Sequence, residues 1–192
     1  MSDEDRLTSK FIVVARRLLI TGTDARVGKT TVACALGFAM RARGIRVGVM
    51  KPLDSPDRRD AQSLALAVGS TLPTSVISPD AVADISRFSD QIASQSDVVI
   101  VELSNAIDFA DLAAILDPEI ILVVGNRPGC VEAMTQALQR CERRALKLAG
   151  CILCDCEPAP HVETLEPPPG VAYLGRMRHR EPLSKSIVEK II

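Results

Sequence analysis

The segment Gly22-Thr-Asp-Ala-Arg-Val-Gly-Lys-Thr-Thr31 decides the fold of this chain. An aliphatic run, Arg17-Leu-Leu-Ile-Thr21, comes directly before it, and a stretch of helical character follows from Lys29 to Arg43. A strand that passes through a glycine-bearing loop into a helix directs backbone N–H groups and a helix N-terminus toward one point. The segment therefore predicts a phosphate-binding loop.

The last residues of this loop have separate predicted tasks. Gly28 allows the backbone to approach the phosphates, Lys29 can reach the terminal phosphates, and the Thr30 hydroxyl is placed to bind magnesium. Thr23 occupies the first glycine position of the strict motif, and Gly22 stands one residue earlier. The strand and helix on either side make an accidental Gly-Lys-Thr the weaker interpretation. The cofactors predicted are Mg²⁺ and ATP or a close relative, and the loop residues predicted to bind nucleotide are Gly22, Asp24, Arg26, Val27, Gly28, Lys29, Thr30 and Thr31.

Three charged side chains are expected near the same edge of the sheet. Glu102 ends the aliphatic run from Asp97, and open α/β sheets place ligands at the carboxyl ends of their strands. Asp60, early in the helix after the second predicted strand, is the other candidate acid for magnesium. Lys51 directly follows that second strand and could stabilise developing phosphate charge. The alternatives are solvated acids and an ordinary surface lysine.

Composition agrees with an aliphatic core. Of 192 residues 47% are hydrophobic, with four Phe, one Tyr and no Trp. Strands alternating with helices predict a parallel sheet covered on both faces. We expect an α/β fold of three layers, a P-loop fold whose mostly parallel central sheet is flanked by helices. Residues 1–15 are interpreted as an N-terminal arm and 16–192 as a single P-loop nucleotide-binding domain. The other predicted strands span 45–50, 119–125, 150–154 and 171–174, and the other helices begin near 60 and 78 or span 129–147 and 182–192, with a surface loop at 157–169.

Charge and hydropathy argue against several classes of function. A net charge of −1 gives no electrostatic reason to expect nucleic acid or an anionic membrane as a partner. No apolar stretch is long enough to span a bilayer. The acidic start, Met-Ser-Asp-Glu-Asp-Arg, is wrong for a secretory signal. The expected location is the cytoplasm.

Two other clusters receive ordinary interpretations. The six cysteines are taken as reduced thiols, because a domain of this size needs no disulfide. Cys151-Ile-Leu-Cys154-Asp-Cys156, with His161 nearby, could catch a metal, but strand alternation puts Cys151 on the face opposite Cys154. The basic run 176–180 is interpreted as a solvated face, with a position beside the base or ribose as the alternative.

The chain resembles the dethiobiotin synthetase family. The shared segments are the loop from Thr21, Met50-Lys-Pro, the Asp60-Ala pair, Val101-Glu102 and Val123-Val-Gly-Asn-Arg-Pro-Gly-Cys130. The resemblance implies a cytoplasmic homodimer with a seven-stranded, mostly parallel sheet. It also implies a ligase that makes dethiobiotin from 7,8-diaminononanoate, carbon dioxide and Mg-ATP, through a phosphorylated carbamate. In that reaction Lys29 and Lys51 would be catalytic, Thr30, Asp60 and Glu102 would hold magnesium, and Ser55 would lie near the carbamate.

Several positions depart from the family pattern. Ala25 replaces a threonine of the loop, Leu103-Ser-Asn-Ala106 replaces Gly-Ala-Gly-Gly, and Pro56 replaces the glycine after Ser55. The stretch between Gly69 and Asp97 is shorter than in the family. Cys154 falls on the position of the asparagine that reads adenine, so the resemblance assigns it to the nucleotide site. The departures affect the predicted diamine and base sites more than the phosphate site.

Other functions remain open at this stage. The main hypothesis is the ATP-dependent ligase. The alternative is a paralogue outside biotin synthesis that acts as a nucleotide-dependent switch or regulatory ATPase and binds a protein partner. A related amidoligase, or an accessory domain of another enzyme, is a weaker option, because an amidoligase usually carries a second, glutamine-hydrolysing domain.

Overall fold

A computed structural model of the chain describes residues 15–52, 59–69, 82–103, 109–155, 161–162, 164–178 and 185–191. In these ranges a single sheet has six strands in the order β2-β3-β1-β4-β5-β6, and every neighbouring pair is parallel. The strands are β1 (Arg16–Gly22), β2 (Val47–Met50), β3 (Val98–Glu102), β4 (Glu119–Gly125), β5 (Leu148–Cys154) and β6 (Tyr173–Met177). The helices are α1 (Lys29–Arg41), α2 (Arg59–Val68), α3 (Val82–Ala93), α4 (Phe109–Leu116), α5 (Cys130–Arg143) and α6 (Lys185–Ile191).

Helices cover both faces of the sheet. Along β1, Leu18 and Ile20 point into a core shared with α1, α2 and α6, whereas Leu19 points into a second core shared with α3 and α4. A third apolar cluster lies between α5 and strands β4 and β5. Successive strand residues alternate between the two faces of the sheet, so each aliphatic strand is buried on both faces. The predicted three-layer α/β fold is confirmed.

Strand register brings the predicted site residues to one edge. Ile20 is opposite Glu102, and Met50 is opposite Val101. The carboxyl ends of β1, β2 and β3 therefore meet, and the loop after Gly22, Lys51 and Glu102 share one end of the sheet. This is the edge at which α/β proteins bind ligands.

Some element boundaries differ from the prediction. Helix α5 ends at Arg143 rather than 147, because Ala145 adopts a left-handed φ of 50° and the Leu146 N–H returns to the Cys141 carbonyl at 3.0 Å. Helix α4 is not predicted from the sequence, because seven of its eight residues are apolar and a short apolar run does not distinguish a helix from a strand. Within the predicted surface loop at 157–169, Leu165 is buried in the third core cluster.

Two expectations concern segments at the limits of the described chain. Residues 1–14, which make up nearly all of the predicted arm, lie outside the described residues, so the proposed division into an arm and one domain stays a prediction. Among the helices in the described ranges, none combines the length and apolar character needed to cross a bilayer.

Candidate nucleotide site

The loop between β1 and α1 turns sharply and is attached to its neighbouring strand. The Thr23 N–H donates to the Val123 carbonyl at 3.0 Å, and helix α1 starts directly after Gly28. Gly28 has a φ of 93° and Arg26 a φ of 55°, both in the left-handed region. Val27 is fully buried between them. The loop is therefore folded at the carboxyl edge of the sheet, as its sequence predicts.

Close packing explains why two loop positions carry glycine. A Cβ atom on Gly22 would lie 2.5 Å from Val27 Cγ2, and one on Gly28 would lie 2.5 Å from Cys154 Sγ. Cys154 is itself buried at the end of β5. The structure thus places Cys154 directly against the loop, and Cys151 on the opposite face of the same strand, as predicted.

Lys29 points back over the loop. Its ammonium donates to the Asp24 carbonyl at 3.0 Å, and the residue is 9% exposed. Burial lowers the pKa of Lys29, and repulsion from Lys51 adds to that shift while attraction to Glu102 opposes it. The lysine is a desolvated cation at the mouth of the loop, which suits it to bind phosphate.

A second group of polar side chains meets beside the loop. The Thr30 hydroxyl donates to Glu102 Oε1 at 2.7 Å, and Lys51 Nζ donates to the same oxygen at 2.7 Å. Lys51 also lies 2.9 Å from Asp60 Oδ2. Lys51 is 4% exposed, so the surface-lysine alternative is wrong. The four predicted side chains from α1, β3, α2 and the end of β2 form one connected cluster.

The cluster has the chemistry of a magnesium site. Glu102 is 1% exposed, and its Oε2 has no hydrogen-bond partner among the described residues. Burial raises the pKa of Glu102, and Lys51 and Thr30 only partly offset that shift. An unpartnered buried carboxylate oxygen is costly unless a cation satisfies it. Hydroxyl and carboxylate oxygens are ligands that Mg²⁺ prefers, so Thr30, Glu102 and Asp60 fit the ion. No group of three or more His, Cys, Asp or Glu side chains suited to a metal occurs within the described ranges.

A buried polar network closes the neighbouring end of β4, β5 and β6. Asn126 donates to Asp155 Oδ1 at 2.7 Å and to the Val162 carbonyl at 2.8 Å, and its own oxygen accepts from the His161 and Val162 N–H groups. Arg176 binds both oxygens of Asp155, at 2.9 to 3.1 Å. The Arg176 side chain is only 12% exposed. The prediction that the basic run 176–180 forms a solvated face is therefore wrong for Arg176, which forms a largely buried ion pair with Asp155.

This network predicts sensitivity to acid. Burial raises the pKa of Asp155, but Arg176 and Asn126 outweigh it, so the folded-state pKa lies below the ordinary value. A carboxyl whose pKa is lowered by folding contributes stability above its unfolded pKa, and that stability is lost as pH falls through the folded pKa. We expect Asp155→Asn to flatten the loss of stability below about pH 4. Urea unfolding midpoints at pH 7 and at acid pH would measure this, and an unchanged slope against pH would contradict it.

Arg127 is a site residue that the interpretation of charges missed. Its guanidinium donates to the Ala25 carbonyl at 2.9 Å and lies 3.5 Å from Asp24 Oδ2. Asn126 and Arg127 directly follow β4, and the rule that singled out Glu102 applies equally to them. The position directly after a buried strand is the feature of the sequence that could have identified Asn126 and Arg127 as site residues.

The remaining predicted residues are placed as follows. The side chains of Asp24, Arg26 and Thr31 are exposed, so solvent and ligand can reach them. Ser55 lies outside the described residues, as do Cys156 and the end of the basic run at 179–180.

The loop, the sheet and the charged cluster define a P-loop α/β protein, and known proteins agree. The AAA_26 family, described as an AAA domain, matches residues 16–110. The ATP-dependent dethiobiotin synthetase BioD of Anaeromyxobacter dehalogenans (strain 2CP-C) is 30% identical, with 88% of each chain covered. That of Akkermansia muciniphila is 26% identical, over 71% of this chain and 77% of its own. The chain belongs to the dethiobiotin synthetase family.

Solved structures of lower identity share the fold. The septum site-determining protein MinD of Pyrococcus horikoshii OT3, complexed with Mg-ADP, has a TM-score of 0.60 and 17% identity over 92% of this chain and 86% of its own. The cell division protein FtsY of Thermotoga maritima has a TM-score of 0.63 and 16% identity over 92% of this chain and 68% of its own. These similarities concern architecture alone.

Proposed function

We propose that this protein is a Mg-ATP-dependent ligase of the dethiobiotin synthetase type, acting in biotin biosynthesis. It would join 7,8-diaminononanoate, carbon dioxide and ATP into dethiobiotin, ADP and phosphate. The observation that carries the proposal is the connected cluster of Thr30, Lys51, Asp60 and Glu102 beside the loop, in which Lys51 and Glu102 are buried. Family membership supplies the reaction. A cytoplasmic homodimer formed by a single P-loop domain is part of the same proposal.

The two lysines would stabilise the phosphoryl group during transfer. Burial lowers the pKa of Lys51, but Glu102 and Asp60 more than offset it, so the net pKa lies above the ordinary lysine value. Lys51 therefore carries a full positive charge at neutral pH, held in place by two carboxylates. A fixed cation in a water-poor site stabilises developing charge far better than a mobile one in solvent.

The chemical steps place these charges in context. One amine of the diamine adds to carbon dioxide and loses a proton to give a carbamate. A carbamate oxygen attacks the γ-phosphorus of ATP, and ADP leaves. The second amine then attacks the carbamoyl carbon and loses a proton, and phosphate leaves as the ureido ring closes. Lys29 and Lys51 are proposed to offset the negative charge of the transferring group, and Ser55 to lie near the carbamate.

When bound, magnesium would supply positive charge that offsets part of the phosphate charge. Thr30, Asp60 and Glu102 are proposed to hold the ion. Their oxygens already lie close together, because Thr30 donates to Glu102 Oε1 and Lys51 contacts both Glu102 Oε1 and Asp60 Oδ2. The loop from Gly22 to Thr31 would bind the phosphates, and Cys154 would border the nucleotide beside Gly28.

Phosphate release that depends on diaminononanoate tests the proposal. We expect purified protein with Mg-ATP and bicarbonate to release phosphate only when the diamine is present. Lys51→Met should lower that rate by at least ~100-fold, since it removes a fixed cation from the site. Arg144→Ala serves as a control, because Arg144 pairs with Asp111 away from the cluster. No turnover above the reaction without diamine would refute ligase activity.

One observation favours the alternative of a nucleotide-dependent switch. Phe38 on α1 and Leu66 on α2 are 67% and 82% exposed, and exposed apolar groups can mark a surface that binds another protein. Light scattering with Mg-ATP and with Mg-ADP would test this candidate. A molar mass that changes between the two nucleotides, without diamine turnover, would favour the switch over the ligase.

A further inference from the structure

The loop that follows β4 reaches across to the phosphate loop. Arg127 Nη2 donates to the Ala25 carbonyl at 2.9 Å, and Nη1 lies 3.5 Å from Asp24 Oδ2. The guanidinium therefore holds two successive residues of the outer part of the loop from one side. Arg127 is separated from Asp24 by more than a hundred residues of sequence, so this contact depends on the fold.

The segment that Arg127 holds needs support. Arg26 follows Ala25 and adopts a φ of 55°, although it is not glycine. A side chain in the left-handed region is disfavoured and persists only where the surroundings impose it. Ala25 and Arg26 are both exposed, so apolar packing of their side chains does little to impose it. A contact to the Ala25 carbonyl fixes the peptide that joins these two residues.

The same segment determines where the lysine ammonium lies. The Asp24 carbonyl accepts from Lys29 Nζ at 3.0 Å. Asp24 Oδ1 accepts from the Ala25 N–H at 2.6 Å, which ties the side chain held by Arg127 to the loop backbone. A shift of Asp24 would therefore move both the loop amides and the resting position of the Lys29 ammonium.

We propose that Arg127 is a positioning residue for the nucleotide site, acting through Asp24 and Ala25 to keep the loop in its phosphate-receiving conformation. This inference rests on the proposed binding of nucleotide by the loop. Preorganised donors bind phosphate without a further cost of ordering, so loss of the support weakens binding even though Lys29 is intact.

Nucleotide affinity of Arg127 variants tests the inference. With a fluorescent ATP analogue and Mg²⁺, we expect Arg127→Ala to raise Kd about 5-fold, because the lost hydrogen bond has a charged donor but is partly exposed to solvent. Arg127→Lys should have a Kd between those of wild type and Arg127→Ala, because an ammonium is a point charge without the planar fork of arginine. Arg144→Ala, which also removes an arginine from a 3.5 Å ion pair, should leave Kd unchanged.

A glycine at position 26 separates positioning from direct contact with the ligand. Arg26→Ala and Arg26→Gly both remove the cation, but only glycine relieves the left-handed backbone. In the Arg127→Ala background we expect the glycine variant to bind on the order of fivefold more tightly than the alanine variant, against about twofold when Arg127 is present. A glycine-to-alanine ratio that is the same in both backgrounds would overturn the positioning role.

The results distinguish this inference from the proposed function. If wild type binds nucleotide, Lys29→Ala does not, and Arg127→Ala binds like wild type, only the positioning role is refuted. If wild type itself shows no nucleotide binding, the proposed function and the positioning role are both refuted.

Discussion

Replacing Lys29 with alanine is expected to abolish nucleotide binding. Lys29 is a largely buried ammonium at the mouth of the loop, and its contact with the Asp24 carbonyl keeps it over the outer part of the loop. Ammonium–phosphate contacts are charge-assisted, and loss of the only cation buried in the loop should raise Kd by at least ~100-fold. Titration calorimetry with Mg-ATP, backed by thermal unfolding, measures the effect.

A neighbouring arginine provides the matched control for Lys29→Ala. Arg26 belongs to the same loop but is exposed, so solvent screens its charge. We expect Arg26→Ala to weaken binding only a few-fold, on the usual scale for exposed charges. Equal affinities for Lys29→Ala and wild type would refute the assignment of the phosphate site.

Arg176→Ala is expected to destabilise the fold strongly. Its guanidinium binds both oxygens of Asp155, and the two side chains are 12% and 5% exposed. Removing the guanidinium leaves a buried carboxylate that keeps its hydrogen bond from Asn126, and such losses cost about 3–5 kcal/mol. Urea unfolding at pH 7 measures the change in the free energy of unfolding.

An exposed ion pair provides the comparison for Arg176→Ala. Arg46 Nη2 lies 2.5 Å from Asp97 Oδ1, but the two side chains are 65% and 39% exposed. Surface pairs contribute little, so Arg46→Ala should leave the free energy of unfolding almost unchanged. An equal loss of unfolding free energy in the two arginine variants would contradict the claim that burial makes the Arg176 pair important for stability.

The sequence predicts well those features that depend on local pattern and parallel topology. Strand β4 has the predicted limits, because the aliphatic run between Glu119 and Gly125 ends in glycine at one side and follows Asp117-Pro118 at the other. The meeting of Thr30, Lys51, Asp60 and Glu102 also follows from pattern, because parallel strands bring their carboxyl ends to one edge.

Features that depend on distant contacts could not be predicted in the same way. The sequence shows Arg176 as one of several charges, and only the register of β5 and β6 brings it to Asp155. The end of α5 depends on Ala145, whose positive φ no glycine signals. The contact of Arg127 with Ala25 likewise depends on how β4 and β1 pair.

The close packing of Gly28 against Cys154 couples the position of the loop to the size of the side chain at the end of β5. A Cβ at residue 28 would approach the thiol sulfur to 2.5 Å, so the bulk of residue 154 limits how near to β5 the loop can settle. Introducing the family's asparagine at residue 154 would press a wider amide on the turn that receives phosphate. A substitution that enlarges residue 154 thus calls for a compensating change in the turn at residue 28.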